Sequence, residues 1–209
     1  MAYQKKDIKA LENFIPANCF DDIFNYLHQY KIQLSVTPQR KSIHGNYQHN
    51  FITKENKISV NGTLNPYAFL VTLIHEIAHC ICMHDYGRKV SPHGKEWQAI
   101  YAKLLLQFTA KNIFPEDIQH HLQKTIKSPK ASSCADPSLE KVLAKYNKNA
   151  YTQNIEYVED LAINDLFATP DNRIFRCLEK RRTRYLCEEV QTKKRYLFPG
   201  IYQIQKVQH

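Results

Sequence analysis

The segment His75-Glu76-Ile77-Ala78-His79 sets two imidazoles four residues apart, with a carboxylate directly after the first. On an α-helix that spacing puts both rings on one face, about 6 Å apart along the axis, where they can converge on one Zn²⁺ at about 2.0–2.1 Å. Glu76 lies about 100° around the helix, beside such an ion and not bound to it. There its carboxylate can take a proton from water whose pKa the metal lowers to about 7. The competing reading is the solvated face of an amphipathic helix whose core side is Leu70, Leu73, Ile74, Ile77 and Ile81. The segment is almost free of other polar residues, so an uncompensated imidazole pair would be poorly solvated there, and the metal reading is preferred.

Two histidines on a helix need a third protein ligand. A metzincin-type extension requires Gly at position 82 and His at position 85, where this chain has Cys82 and Asp85. His84, five residues beyond His79, is about 140° off its face. Glu96 would imitate the downstream glutamate of thermolysin-like enzymes. His93 suits the role best. It lies in the turn-rich Ser91-Pro92-His93-Gly94 at the mouth of the next helix, and the 13 residues between His79 and His93 are ample for the chain to fold back. The expected site is therefore one Zn²⁺ per chain on His75, His79 and His93, with Glu76 as general base. The histidines at 28, 44, 49, 120 and 121 show no such pairing.

The elements that must hold this site are legible in part. Asn65-Pro66 opens the HExxH helix, with Asn as N-cap and Pro in the first turn, and Gly87 follows its expected end near His84 or Asp85. Upstream, Asn18 and the apolar Phe20, Ile23, Phe24 and Leu27 predict a helix ending near Tyr30. The segments 32–36, 43–47 and 58–60 predict a small antiparallel sheet with short turns. Downstream, Trp97, Ile100, Tyr101, Leu104, Leu105 and Phe108 follow Gly94 at helical spacing, and shorter helices follow Pro115 and Pro137. The stretch 127–137, rich in small residues and Pro, reads as a linker. From about Ile155, alternating aromatic segments (173–178, 183–190, 195–198 and 203–207) predict a β-meander. The fold class is α+β, with residues 1–126 as the main domain, 127–150 as linker and short helix, and 151–209 as a basic β-rich region.

Composition narrows the partners. The 209 residues carry a formal net charge of +9, which favours acidic partners such as nucleic acid, and only 5 glycines, which speaks against a glycine-rich phosphate cradle. The first residues are charged and reach no apolar signal core, and the most apolar stretch, 67–83, is interrupted by His75, Glu76 and His79. Neither secretion nor a membrane is expected. Six cysteines (19, 80, 82, 134, 177, 187) occur without a CxxC pair, and Cys80 and Cys82 fall about 200° apart on their helix. Free buried thiols in a reducing compartment, the cytoplasm, account for them.

The run His75-Glu-Ile-Ala-His79 followed by Asp85-Tyr-Gly-Arg-Lys-Val-Ser-Pro-His-Gly-Lys-Glu-Trp97 resembles the SprT-like metalloprotease family, which includes the eukaryotic protease Spartan. The resemblance covers most of residues 18–110. It implies a zincin-like domain, a zinc-dependent endopeptidase, His75, His79 and His93 as ligands, Glu76 as the catalytic residue, and protein substrates held on or crosslinked to DNA. Many members end in a zinc ribbon with paired cysteines; here only Cys177 and Cys187 remain, far apart in sequence.

Six of the eight arginines (173, 176, 181, 182, 184, 195) fall in this last region, joined by Lys180, Lys193 and Lys194. Arginine forks suit phosphate, and Tyr185, Tyr196 and Phe198 could stack on bases. Strand alternation can place Arg182 and Arg184 on one face. Arg181, Arg182, Arg184, Lys193, Lys194 and Arg195 are the expected nucleic-acid contacts. Two other functions fit the same residues: a zinc-stabilised DNA-binding module without catalysis, and a metalloprotease of free proteins.

Overall fold

A computed structural model describes residues 5–40, 43–127, 136–147, 156–182 and 184–207, and the chain forms two units, 1–147 and 148–209. In the first, a 3-10 helix (Lys5–Asn13) precedes α1 (Phe20–Gln29), β1 (Ile32–Thr37), β2 (Gly45–His49), β3 (Asn56–Asn61), α2 (Pro66–Tyr86), α3 (Lys95–Thr109), α4 (Glu116–Lys127) and α5 (Pro137–Ala144). Asn18 does not cap α1. It turns the chain in a left-handed conformation (φ 66°), and the helix starts after Cys19 with Asp21 and Asp22 in its first turn, where the helix dipole favours them.

α2 forms as its sequence dictates. The Asn65 side chain accepts hydrogen bonds from the Tyr67 and Ala68 N–H groups, Pro66 fills a position that needs no donor, and Gly87 (φ 62°) stops the helix. By length and composition α2 could cross a bilayer, yet every residue from Ala68 to Ala78 is buried, and its side chains form much of the first unit's core.

The small sheet is mixed, not antiparallel. Its order is β1-β3-β2, with β1 parallel to β3 and β2 antiparallel to it. β2 and β3 form the expected hairpin, but the connection from β1 leads to an edge strand and β3 then fills the central position. Arg40 fixes this connection: its guanidinium donates to Asn61 Oδ1 (2.8 Å) and Ser59 Oγ (2.9 Å) on β3, and buried Asn61 donates to the Ile43 carbonyl. Ile58 and Val60 of the central strand are buried at alternate positions, as the strand period requires.

α3 buries Trp97, Tyr101, Leu104, Leu105 and Phe108 along one stripe and packs on α2. α5 adds Leu139, Val142 and Leu143 to the same core, while Asn65 Nδ2 donates to the Leu143 carbonyl and to Asn147 Oδ1, both at 2.8 Å. One asparagine thus caps α2 and ties down α5, and the unit extends through Asn147. Most of the expected linker, with Cys134, lies outside the described residues.

The second unit is one sheet of β4 (Glu156–Tyr157), β5 (Leu166–Ala168), β6 (Ile174–Arg181), β7 (Arg184–Glu189), β8 (Arg195–Pro199) and β9 (Gln203–Lys206), in the order β4-β9-β5-β6-β7-β8. β5 to β8 follow one another in antiparallel pairs; β9 returns to the free side of β5, so the order departs from a simple meander. Phe167, Phe175, Tyr185 and Phe198 form its core with Val158, Cys177 and Cys187. Those two cysteines, distant in sequence, are direct partners across β6 and β7. The five described cysteines are free and buried.

Candidate metal centre

His75 and His79 project from the same face of α2, and the turn before α3 brings His93 to meet them. The Nε2 atoms of His79 and His93 lie 3.1 and 3.2 Å from Nε2 of His75. Among the described residues this is the one group of three His, Cys, Asp or Glu side chains whose donor atoms converge tightly enough to hold a metal ion. The rivals for third ligand are elsewhere: His84 and Asp85 are exposed and paired with each other at 2.7 Å, and Glu96 is not in the group.

His93 pays for its place in backbone strain. Its φ of 61° is left-handed, a conformation a residue with a Cβ adopts at a cost of order 1–3 kcal/mol unless its surroundings impose it. Here they do. The Gly94 N–H bonds back to the Ser91 carbonyl at 2.9 Å, and Gln98 Nε2, one turn into α3, donates to the His93 carbonyl at 3.0 Å. Trp97 completes the support. Its indole packs on all three imidazoles, with ring centres 4.7, 5.2 and 4.6 Å from His75, His79 and His93, and Tyr101 stacks behind it at 4.9 Å.

Burial sets the protonation states. It presses the His75 pKa down to about 3, helped by His79 and His93, and that of His79 to about 4, helped by His93; His93 is lowered in the same way. All three rings are thus neutral at physiological pH, the form in which imidazole binds a metal. Glu76 is also buried, and burial raises its carboxyl to about 7, against the opposing effects of a hydrogen bond from the Tyr47 backbone N–H and the charge of Arg40. A carboxyl balanced near neutrality can both accept and release a proton.

Sequence reasoning missed the residues around Glu76. Gly45, on β2, lies so close that a Cβ there would stand 2.8 Å from Glu76 Oε1. A glycine opening a strand in a chain with only 5 of them was the available signal.

The basic residues of the second unit are not gathered as expected. Arg181 and Arg184 face each other at the β6–β7 hairpin tip, and Arg182 (φ 30°) sits in the turn, not on a strand face with Arg184. Lys193 (φ 60°), Lys194 and Arg195 belong to the β7–β8 hairpin at the other end of β7, about 13 Å of strand away. Arg181 is paired with Glu179 at 3.4 Å and Arg195 with Glu188 at 3.5 Å.

The model of the SprT-like family matches residues 15–120, half of the chain, with the whole metal centre inside it. The chain belongs to the SprT-like family. Similar proteins include the SprT proteins of Shewanella oneidensis (42% identical over 55 residues), Vibrio parahaemolyticus (51% over 49) and Actinobacillus succinogenes (38% over 76). These segments cover 24%, 22% and 34% of this chain and 35%, 29% and 44% of those proteins. The chain therefore matches less than half the length of each. No solved structure matches it.

Proposed function

We propose that this chain is a zincin-like, zinc-dependent endopeptidase acting in the cytoplasm on proteins bound or crosslinked to DNA. The observation that carries the reading is the convergence of three neutral imidazoles beside a buried carboxylate. The donor set fits zinc: two nitrogens each about 2.05 Å from a tetrahedral ion stand about 3.3–3.4 Å apart, close to the 3.1 and 3.2 Å found. Three protein ligands leave a fourth position open, as in catalytic and not structural sites. When bound, the ion supplies a Lewis acid that polarises the scissile carbonyl and acidifies water. Glu76 accepts the water proton and delivers it to the leaving amine. Trp97 packs on all three ligand rings and holds their orientation, and Gln98 holds the turn that presents His93.

The substrate class rests on charge and on the family. Residues 1–147 carry 18 basic and 12 acidic side chains and residues 148–209 carry 11 and 8, so both units suit an acidic surface. The separation and ion pairing of the tail arginines favour a second reading, a protease of free proteins in which DNA plays no part. Free buried thiols support the cytoplasmic assignment.

Metal content and cleavage of a DNA-binding protein, with and without DNA, test the proposal. One zinc per chain is expected, with cleavage stopped by a chelator, restored by zinc and accelerated by DNA. Zinc-loaded protein that cleaves nothing would overturn the peptidase reading; cleavage indifferent to DNA would establish the second one.

A further inference from the structure

We infer that strand β2, through Gly45 and Tyr47, is the positioning element that fixes the Glu76 carboxylate. The inference rests on Glu76 being the general base. Thr72, Glu76 and Cys80 lie four residues apart along α2 and form one stripe on its surface. β2 runs along that stripe. Gly45 covers its first part, where a Cβ would meet Thr72 Cγ2 at 2.6 Å and Glu76 Oε1 at 2.8 Å. Tyr47 covers the rest: its backbone N–H holds the Glu76 carboxyl's pKa down against burial, and its hydroxyl does the same for the Cys80 thiol.

The ladder explains why that N–H is available. Bonds from Asn61 N–H to the His44 carbonyl and from Asn50 N–H to the Glu55 carbonyl show that β2 pairs with β3 through its even-numbered residues. The N–H groups of residues 45, 47 and 49 therefore point out from the edge of the sheet, and the one at 47 acts on Glu76. The Tyr47 hydroxyl also donates to Asn56 Oδ1 at 2.9 Å, and Asn56 Nδ2 donates to the Tyr30 carbonyl at 2.8 Å. Tyr47 is thus held on the sheet, facing the helix. A backbone donor has no freedom of its own, so the carboxylate stays where the strand is docked. Gly45 sets how closely the strand approaches, and the Tyr47 hydroxyl stops it from sliding.

The test uses the full zinc-loaded chain and reads kcat, KM, zinc content and melting temperature. Gly45→Ala should lower kcat about 10- to 100-fold, the scale of an ångström-sized misplacement, with KM and zinc little changed. Because the new methyl also meets Thr72, the pair Gly45→Ala, Thr72→Ser removes that contact and keeps the one with Glu76. Melting temperature should recover in the pair while kcat stays low. Tyr47→Phe should lower kcat more mildly, also with zinc retained. In a Glu76→Gln background, Gly45→Ala should leave the residual rate unchanged. Recovery of kcat together with stability in the pair, or an equal loss on the Gln background, would overturn the inference and leave Gly45 a packing residue. Full activity of Glu76→Gln alone would remove the general-base reading and this inference with it.

Discussion

His75, His79 and His93 come from a helix and a later turn and meet with neighbouring nitrogens 3.1 and 3.2 Å apart, whereas Arg181, Arg182 and Arg184 share a short stretch with Lys193, Lys194 and Arg195 and finish at the far end of β7 from them. The contrast follows from the elements. A helix turns every 3.6 residues, so a four-residue spacing is a spatial neighbourhood. A hairpin reverses direction at each turn, so residues flanking one strand are carried apart at about 3.3 Å per residue. Clustering in sequence predicts clustering in space in the first case and separation in the second.

The strongest way to sharpen this comparison is Glu76→Gln. The variant should keep fold and zinc while hydrolysis falls at least the 10²–10⁴-fold of a lost general base, read by peptide cleavage and elemental analysis together. Loss of metal in that variant would make Glu76 a ligand.

His93→Ala comes next. Zinc affinity should fall by more than the roughly 10–100-fold that follows loss of an outer partner, while the sheet of the second unit keeps its hydrogen-exchange protection. Full zinc retention would show that the convergence of three nitrogens does not hold the ion.

Acid should then separate the units in chelated protein. His75 and His79 have folded pKa values near 3 and 4, below the 6.5 of the unfolded chain, so their stability contribution is complete above pH 6.5 and lost as pH falls toward 4. Glu76, raised from 4.5 to about 7, works in the opposite sense, its contribution present below pH 4.5 and lost as pH rises through 7. Between pH 5 and 6 the two histidines outweigh the one carboxyl by about one proton, or roughly 1.4 kcal/mol per pH unit. The described part of the second unit has no histidine and should show no such slope. Equal slopes in both units, read by hydrogen exchange, would contradict this account.

The smallest effect concerns nucleic acid. Replacing Arg181, Arg182 and Arg184 with Ala should reduce the log–log salt slope of duplex binding by about two to three, nearer two because Arg181 is tied to Glu179. Replacing Lys193, Lys194 and Arg195 tests the other end of β7 separately. A slope unchanged in both would assign DNA contact to the more strongly basic first unit.

What was legible in the sequence was local. Asn65, Pro66 and Gly87 bound α2, and the four-residue spacing and the turn at 91–94 bring out all three histidines. What was not legible depends on distant partners. The parallel pairing of β1 with β3 is decided by a crossing that no residue in either strand announces. Gly45 and Tyr47 meet α2 across about thirty residues, and α5 joins the core through an asparagine nearly eighty residues upstream. Cys177 and Cys187 became partners only once the β6–β7 register was set.

The burial of α2 also bears on how the chain is made. The sheet and α1 precede α2 in the sequence, but α3, which covers much of its apolar surface, follows it. At about 5–20 residues per second, residues 87–109 take about one to five seconds to synthesise, and for that interval α2 is a long apolar segment with part of its cover missing. A chain stopped at residue 90 should therefore aggregate or stay on a chaperone, and it should hold zinc poorly because two of the three imidazoles have no third. Residues 93–109 then supply first the third imidazole and next much of the missing cover, and α5 adds the rest of it.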